Sequence, residues 1–201
     1  MPRSYRLGRR AAPKAETRSR IVAAALATYR DRGLAGASNL AIAQAADVAP
    51  ATVRNHFPDD ADLARAVFEL LLDELHVPTP AIFDDVRSLR DRVGRLAHEL
   101  AAFYDRSEPW WRVCEREPEL ISAWGGGVDQ YYADIEALMR AALGTLASDD
   151  RSVAVVASVI GPPTYFALRG RGLSSDEAVR LSLELAVPWL ERRRKTLREP
   201  R

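Results

Sequence analysis

The stretch that decides the fold runs from Ser38 to Phe57 and reads SNLAIAQAADVAPATVRNHF. Ser38 is a good N-terminal cap for a short helix over 39–46, whose apolar residues share one side. A tight turn follows. Pro50 then suits the first turn of a second helix over 50–56, because the N–H that proline lacks is not needed there. Two short helices that meet across such a turn form a helix-turn-helix.

The helix over 50–56 is predicted to expose polar side chains that can read DNA. Its apolar spacing predicts that Val53 and Phe57 point inward. The polar residues that then point outward are Thr52, Arg54, Asn55 and His56. The major groove, about 12 Å wide, admits one helix, whose first residues meet the base edges. Arginine favours guanine there, and asparagine favours adenine. We therefore predict a DNA contact surface made of Lys14, Arg18, Ser38, Pro50, Ala51, Thr52, Arg54, Asn55 and His56.

Helices are also predicted on both sides of this motif. The helix before it covers 16–32 and stops at Gly33, and the helix after it covers 60–76 and is capped by Asp59. Residues 1–14 show no apolar period and are predicted to be disordered. The predicted domains are a basic flexible arm at 1–15, the helix-turn-helix domain at 16–60, a connecting helix at 61–76 and a helical domain at 77–201.

The net charge of +1 over 201 residues conceals an asymmetry. Residues 1–60 contain ten Arg or Lys and five Asp or Glu, while the rest of the chain is acidic. A basic end on an acidic body indicates a polyanionic partner for that end. Charge alone leaves open a second interpretation, a solvated tail that keeps the protein soluble.

Composition argues against several classes of protein. Cys114 is the single cysteine, which excludes an internal disulfide and fits a reducing, cytoplasmic location. We expect no apolar run to reach the roughly 18 residues that a membrane helix needs. The sequence contains no nucleophile elbow, phosphate-binding glycine loop or His-Glu-x-x-His helix, so we predict no enzyme activity, cofactor or metal. Glu115, Glu117 and Glu119 are expected to form a solvated acidic segment.

Beyond residue 77 the pattern is helical, with no alternating strand pattern of useful length, so the fold class is all-α. Gly161-Pro162-Pro163 must break or kink the helix around it. The predicted helices cover about 83–106, 109–121, 128–146, 149–169 and 175–197.

At the helix-turn-helix the sequence resembles the tetracycline-repressor (TetR) family of bacterial regulators. The resemblance is dense over about 16–70 and includes ATVRNHF at 51–57, which is similar to the family's recognition helix. Some positions depart from the pattern. Asp47 stands where the turn usually has glycine, Ala49 replaces Ser or Thr, Arg54 replaces a common Tyr, and Asp60 replaces a common Lys that meets phosphate.

The resemblance implies that 77–201 form an effector-binding and dimerisation domain, and that the dimer binds a near-palindromic operator. Two apolar stripes are the dimer candidates, and they suit an intermolecular four-helix bundle. The alternative is that the stripes close the protomer's own core. The predicted interface residues are Val156, Ile160, Val179, Leu183 and Leu190.

Aromatic residues cluster between 103 and 132 and include Tyr104 and Tyr132. An apolar cavity with a few polar groups is the usual small-molecule site. We predict a ligand pocket formed by His98, Phe103, Trp110, Trp111, Trp124, Tyr131 and Tyr165, with Arg112 as a further polar contact. The alternative is that these aromatics fill an ordinary core.

The sequence thus predicts a homodimeric, cytoplasmic DNA-binding regulator, and favours a repressor that a small hydrophobic or aromatic ligand releases from double-stranded DNA. The alternative is a helical ligand carrier or enzyme whose N-terminal head does not bind DNA.

Overall fold

A computed structural model describes residues 7–198, except for the side chains of residues 7–12 and Ala35. This part of the chain is helical and contains no strand, which confirms the all-α class. Short 3-10 turns lie at Pro80–Phe83 and Gly144–Leu146. The α-helices of the described residues are α1 Leu7–Gly36, α2 Asn39–Ala45, α3 Pro50–His56, α4 Asp60–Leu75, α5 Leu89–Arg116, α6 Pro118–Trp124, α7 Gly126–Leu143, α8 Asp150–Ile160, α9 Pro162–Arg169 and α10 Ser175–Arg198.

Helix α1 is longer than predicted. It begins at Leu7, so the expected disorder is wrong for residues 7–14, and residues 1–6 lie outside the described residues. Alanine, arginine and lysine dominate this segment and are strong helix formers, which outweighs the single Pro13. At the other end Gly33 adopts φ +69°, as predicted for a helix stop, and the chain is helical again from this kink to Gly36.

The described chain divides into two compact units, and the first contains more than the predicted head. It comprises the chain up to Leu75 together with Glu108–Asp129, although we expected the second segment in the C-terminal domain. The rings of Phe68 on α4 and Trp124 on α6 stack with centroids 4.8 Å apart. A Cβ at Gly127 would lie 2.9 Å from the Phe68 ring, so the close approach of the two segments requires glycine there.

A carboxylate also joins the end of α1 to the start of α6 within this unit. Glu117 Oε2 accepts the backbone N–H of Leu34 at 2.5 Å. A Cβ at Gly33 would collide with the same carboxylate. Glu115 and Glu119 are exposed as predicted, but Glu117 is half-buried, so the expectation of a solvated segment is wrong for Glu117.

The second unit comprises His76–Ser107 and the chain from Gln130 onward. Helix α5 begins at Leu89 rather than near 83, because Ser88 caps it: its hydroxyl accepts the Asp91 N–H at 3.1 Å and donates to the Asp91 carboxylate at 2.6 Å. The predicted break before residue 109 is also wrong, since α5 continues through Pro109 to Arg116.

Gly161 separates α8 from α9, as predicted. Its backbone is extended (φ −68°, ψ 165°), and Pro162 and Pro163 open the next helix, where proline is tolerated. Taken together, Asp150–Arg169 are long and apolar enough to cross a membrane by length and composition, so the expectation that no segment reaches this length is wrong. In the structure this segment is two helices of the second unit, and α8 packs against α10.

Candidate nucleic-acid interface

The turn between α2 and α3 is built without glycine. Asp47 adopts φ +52°, a left-handed backbone that aspartate tolerates better than most residues. The turn is closed by the Val48 N–H, which donates to the Ala43 carbonyl at 3.0 Å. The replacement of glycine by Asp47 therefore leaves the helix-turn-helix geometry intact.

Helix α3 presents the side chains that the sequence predicted. Val53 and Phe57 are buried, so one side of the helix is fixed in the core of the first unit. Arg54 and Asn55 are exposed, and Thr52 and His56 are half-buried. The structure thus brings the predicted base-reading residues onto one exposed surface.

The N-terminal ends of α2 and α3 are capped differently. Ser38 accepts the Ala41 N–H at 3.2 Å, as predicted for an N-cap, and its side chain is exposed. Ala49, the N-cap of α3, makes no side-chain cap bond, which follows from its departure from Ser or Thr. Pro50 is half-buried and Ala51 exposed at the start of α3.

The two basic residues that were predicted to contact DNA, one in the arm and one in the first helix, both lie on α1. Lys14 and Arg18 are both exposed. Arg18 Nη1 donates to the His56 carbonyl at 3.3 Å, and its guanidinium carbon lies 4.0 Å from the centroid of the Phe57 ring. Arg18 is thus held at the C-terminal end of α3. Sequence reasoning could not find this contact, because the partners are 38 residues apart.

The acidic residues that depart from the family pattern lie at the start of α4. Asp59 and Asp60 are exposed, and Asp59 accepts the Ala61 N–H at 2.9 Å, as predicted for a cap. Asp59 therefore has a structural role. Burial raises the pKa of the Tyr29 hydroxyl, and the charge of Asp60 raises it further.

Aromatic residues pack together within each of the two units. In the first unit Trp124 contacts Trp110 (centroids 6.2 Å apart) as well as Phe68. Cys114 lies in the same unit, and burial raises the pKa of its thiol to about 11. The indole N–H of Trp124 is buried without a hydrogen-bond partner among the described residues.

In the second unit Tyr104 is the centre of the cluster. Its ring centroid lies 5.9 Å from that of Phe103 and 5.4 Å from that of Tyr165, and Phe103 lies 6.2 Å from Tyr131. The Tyr104 hydroxyl is buried and has no partner among the described residues. Burial raises the pKa of Tyr104 well above its usual range.

The hydroxyl of the neighbouring Tyr165 has hydrogen-bond partners. It donates to Asp105 at 2.6 Å and lies 2.7 Å from the Ser175 hydroxyl. Burial, followed by the bond to Asp105, raises the pKa of Tyr165 to about 12. The Tyr165 hydroxyl thus has hydrogen-bond partners, whereas the nearby Tyr104 hydroxyl has none among the described residues.

Other predicted pocket residues lie elsewhere. His98 is exposed and lines an open groove of about 440 Å³ with Arg90, Val179 and Leu183. Arg112 pairs with Glu108 at 2.6 Å on the surface of α5, Trp111 is half-buried, and Tyr132 is 54% exposed. His98, which was predicted to supply a polar contact to the aromatic pocket, is instead exposed on α5.

The predicted dimer residues fall mainly inside the protomer. Val156, Ile160, Val179 and Leu190 are buried, which is the alternative left open by the sequence. Leu183 is half-buried in the groove, and its neighbour Leu185 is 60% exposed. On α10 the predicted interface residues Val179 and Leu190 are therefore buried, and Leu185 is an apolar residue that the helix exposes.

Comparison with known proteins agrees with this arrangement. Residues 21–67 match the family of bacterial regulatory proteins named tetR. No curated protein sequence matches the chain. Among solved structures, the multidrug binding protein EbrR in complex with imidazole is 22% identical, with a TM-score of 0.63, and the match covers 94% of this chain and 96% of that one.

Two further structures have the same fold. A putative TetR-family regulator from Mesorhizobium loti MAFF303099 is 18% identical (TM-score 0.64), and a TetR-like regulator from Rhodococcus sp. RHA1 is 21% identical (TM-score 0.60). Each match covers 87% of this chain and 96% of the other. Residues 21–67 thus match the tetR family of bacterial regulatory proteins, and the chain shares its fold with TetR-like regulators of known structure.

Proposed function

We propose that this protein is a cytoplasmic, homodimeric repressor that leaves a near-palindromic operator when a small apolar or aromatic molecule binds. The observation that carries the proposal is the arrangement of α3. Val53 and Phe57 anchor the helix, while Arg54 and Asn55 stand free on its outer side. These two residue types make bidentate contacts to guanine and adenine in the major groove.

A homodimer fits the spacing of DNA grooves and is supported by the exposed apolar surface of the second unit. Two recognition helices reach successive major grooves when they are one helical turn of DNA apart, which predicts half-sites about 10 base pairs apart. Within Asp150–Arg169, only 33% of an apolar stretch of 18 residues is buried, and Leu185 on α10 is exposed. A second copy of the chain is the partner that would cover this apolar surface.

A ligand for the second unit is supported by the Tyr104 hydroxyl. A buried hydroxyl without a partner costs about 1–3 kcal/mol, so a ligand with a hydrogen-bond acceptor gains by reaching it. The surrounding rings of Phe103, Tyr131 and Tyr165 favour an aromatic ligand. EbrR, which has the same fold, has been crystallised with imidazole and with malachite green.

The release of DNA is proposed to act through the first unit. The Phe68–Trp124 stack and the Glu117–Leu34 bond tie α6 to α4 and to the end of α1. Tyr104 and Trp110 lie on the same helix, α5. A ligand that favours one arrangement of α5 and α6 would change which orientation of the helix-turn-helix is most populated. The two α3 helices of the dimer would then no longer match successive major grooves of the operator.

DNA recognition is tested by selecting duplexes from a random library with the full chain and measuring their affinity by gel shift at several salt concentrations. We expect a near-palindrome and an affinity that falls steeply with salt. Arg54→Ala should weaken binding by about 1–3 kcal/mol and relax the preference at one base position. Arg171→Ala, an exposed arginine of the second unit, is the matched control. Selection of no sequence by the wild-type protein would favour the carrier alternative.

The ligand site is tested with Tyr104→Phe. Without ligand the variant should be as stable as the wild type or more stable, because it removes an unpaired buried hydroxyl and keeps the ring. Its affinity for a ligand found by thermal-shift screening, with malachite green among the probes, should fall. A stabilising probe that binds both proteins equally would show that the hydroxyl takes no part. Loss of operator binding on addition of the probe tests release.

A further inference from the structure

The contacts of Arg18 give it a role that differs from that of an ordinary phosphate-binding cation. Its side chain leaves α1 and ends at the C-terminal end of α3, where Nη1 donates to the His56 carbonyl at 3.3 Å. Its guanidinium carbon lies 4.0 Å from the centroid of the buried Phe57 ring. The cation therefore contacts the backbone and the anchoring ring of the recognition helix together.

Helix α3 needs support of this kind because it is short and poorly capped. It has seven residues and no side-chain cap at Ala49. Isolated helices of this length are unstable in water, so tertiary contacts must hold α3 in place. At its C-terminal end the Phe57 N–H donates to the Val53 carbonyl, while the His56 carbonyl takes its bond from Arg18. A cation there also interacts favourably with the helix dipole.

We propose that Arg18 is a positioning residue for DNA recognition: it fixes the C-terminal end of α3 and thereby the orientation of Arg54 and Asn55. The proposal rests on DNA reading by α3. Arg18 acts through its planar guanidinium, which lies over the Phe57 ring and bonds the carbonyl at the same time. Lysine has the charge but lacks this planar fork, so it cannot replace both contacts.

A phosphate contact and a positioning contact have different signatures in DNA binding. Loss of one phosphate contact weakens specific and non-specific binding alike and lowers the salt slope by about 0.9. Loss of a positioning contact affects base contacts most, since those depend on the orientation of α3. The measure is the ratio of affinities for the selected operator and for a scrambled duplex.

The experiment uses the full-length protein with Arg18→Ala and Arg18→Lys, and with Arg20→Ala as a control, because Arg20 is also an exposed arginine of α1. Both Arg18 variants should lower the affinity ratio by about fivefold or more, while Arg20→Ala should keep it. Arg18→Lys is decisive because it keeps the charge. A wild-type ratio in Arg18→Lys overturns the proposal.

Hydrogen exchange without DNA keeps the test independent of the operator. In both Arg18 variants the amides of α3 should exchange faster than in the wild type, and those of α4 should keep their rates. Unchanged exchange in α3 also overturns the proposal. Because this measurement requires no DNA, failure of the wild-type protein to select an operator would count against the proposed function, while the exchange result still decides whether Arg18 holds α3.

Discussion

Replacing Asp149 should separate two contributions that one carboxylate makes to the second unit. Asp149 caps α8 by accepting the Ser152 N–H at 3.2 Å and the Ser152 hydroxyl at 2.6 Å. It also accepts two bonds from Arg193 on α10, at 3.0 Å from Nε and 2.7 Å from Nη2. The Asp149 side chain is only 14% exposed, so water replaces these bonds poorly when they are lost.

The two contributions have different expected magnitudes. Asparagine caps helices about as well as aspartate, so Asp149→Asn removes mainly the charge of the ion pair. Hydrogen bonds to charged groups contribute about 1.5–3 kcal/mol, which predicts a loss of about 2 kcal/mol. Asp149→Ala also removes the cap, which contributes about 1 kcal/mol, and leaves the buried Ser152 hydroxyl without its partner. We expect it to cost about 3–4 kcal/mol in all.

The ion pair also predicts a dependence on pH. The bonds from Arg193, followed by those from Ser152, lower the pKa of Asp149 well below its usual range. A lowered pKa stabilises the folded state above the unfolded-state pKa of about 3.9, and this stabilisation is lost as the pH falls toward the folded-state pKa. The difference in stability between the wild type and Asp149→Asn should therefore be constant from neutral pH down to about pH 5 and narrow below pH 4.

The assay is urea unfolding followed by circular dichroism, at a fixed protein concentration because association shifts the apparent stability. Asp150→Asn is the control. Its carboxylate is 86% exposed and pairs with Arg140 at 2.9 Å, so we expect little change. Equal stabilities for Asp149→Asn and the wild type at pH 7 would refute the reasoning about the ion pair. Equal losses for the Asn and Ala variants would refute the reasoning about the cap.

Three further predictions test other parts of the structure. Gly33→Ala should cost about 1–3 kcal/mol, because φ is +69° and the new Cβ would collide with Glu117; Glu117→Ala in the same chain should recover part of this loss in urea unfolding. Cys114 should react slowly with a disulfide reagent at pH 7.4 and readily once unfolded, because burial raises its pKa to about 11. Leu185→Arg should shift the protein from dimer to monomer in sedimentation, whereas Ile121→Arg on the first unit should not.

The helix-turn-helix could be predicted because its signals are local. The cap at Ser38, the proline at the start of α3 and the spacing of Val53 and Phe57 each act within about one or two helical turns. The same local chemistry correctly predicted the tight turn between α2 and α3 and the break at Gly161. Such signals determine which side of a short helix is apolar, and hence that Arg54 and Asn55 face outward.

Tertiary structure decided which apolar helix faces pack against each other. It also decided which hydrogen-bond partner each long side chain reaches. The two stripes that contain Val156 and Leu190 pack inside the protomer, although their periodicity suits an interface equally well. Arg18 finds its partner 38 residues away, and Glu117 binds a backbone N–H 83 residues away. Periodicity gives the direction of a side chain from its own helix but not the position of the neighbouring helices, and these contacts depend on that position.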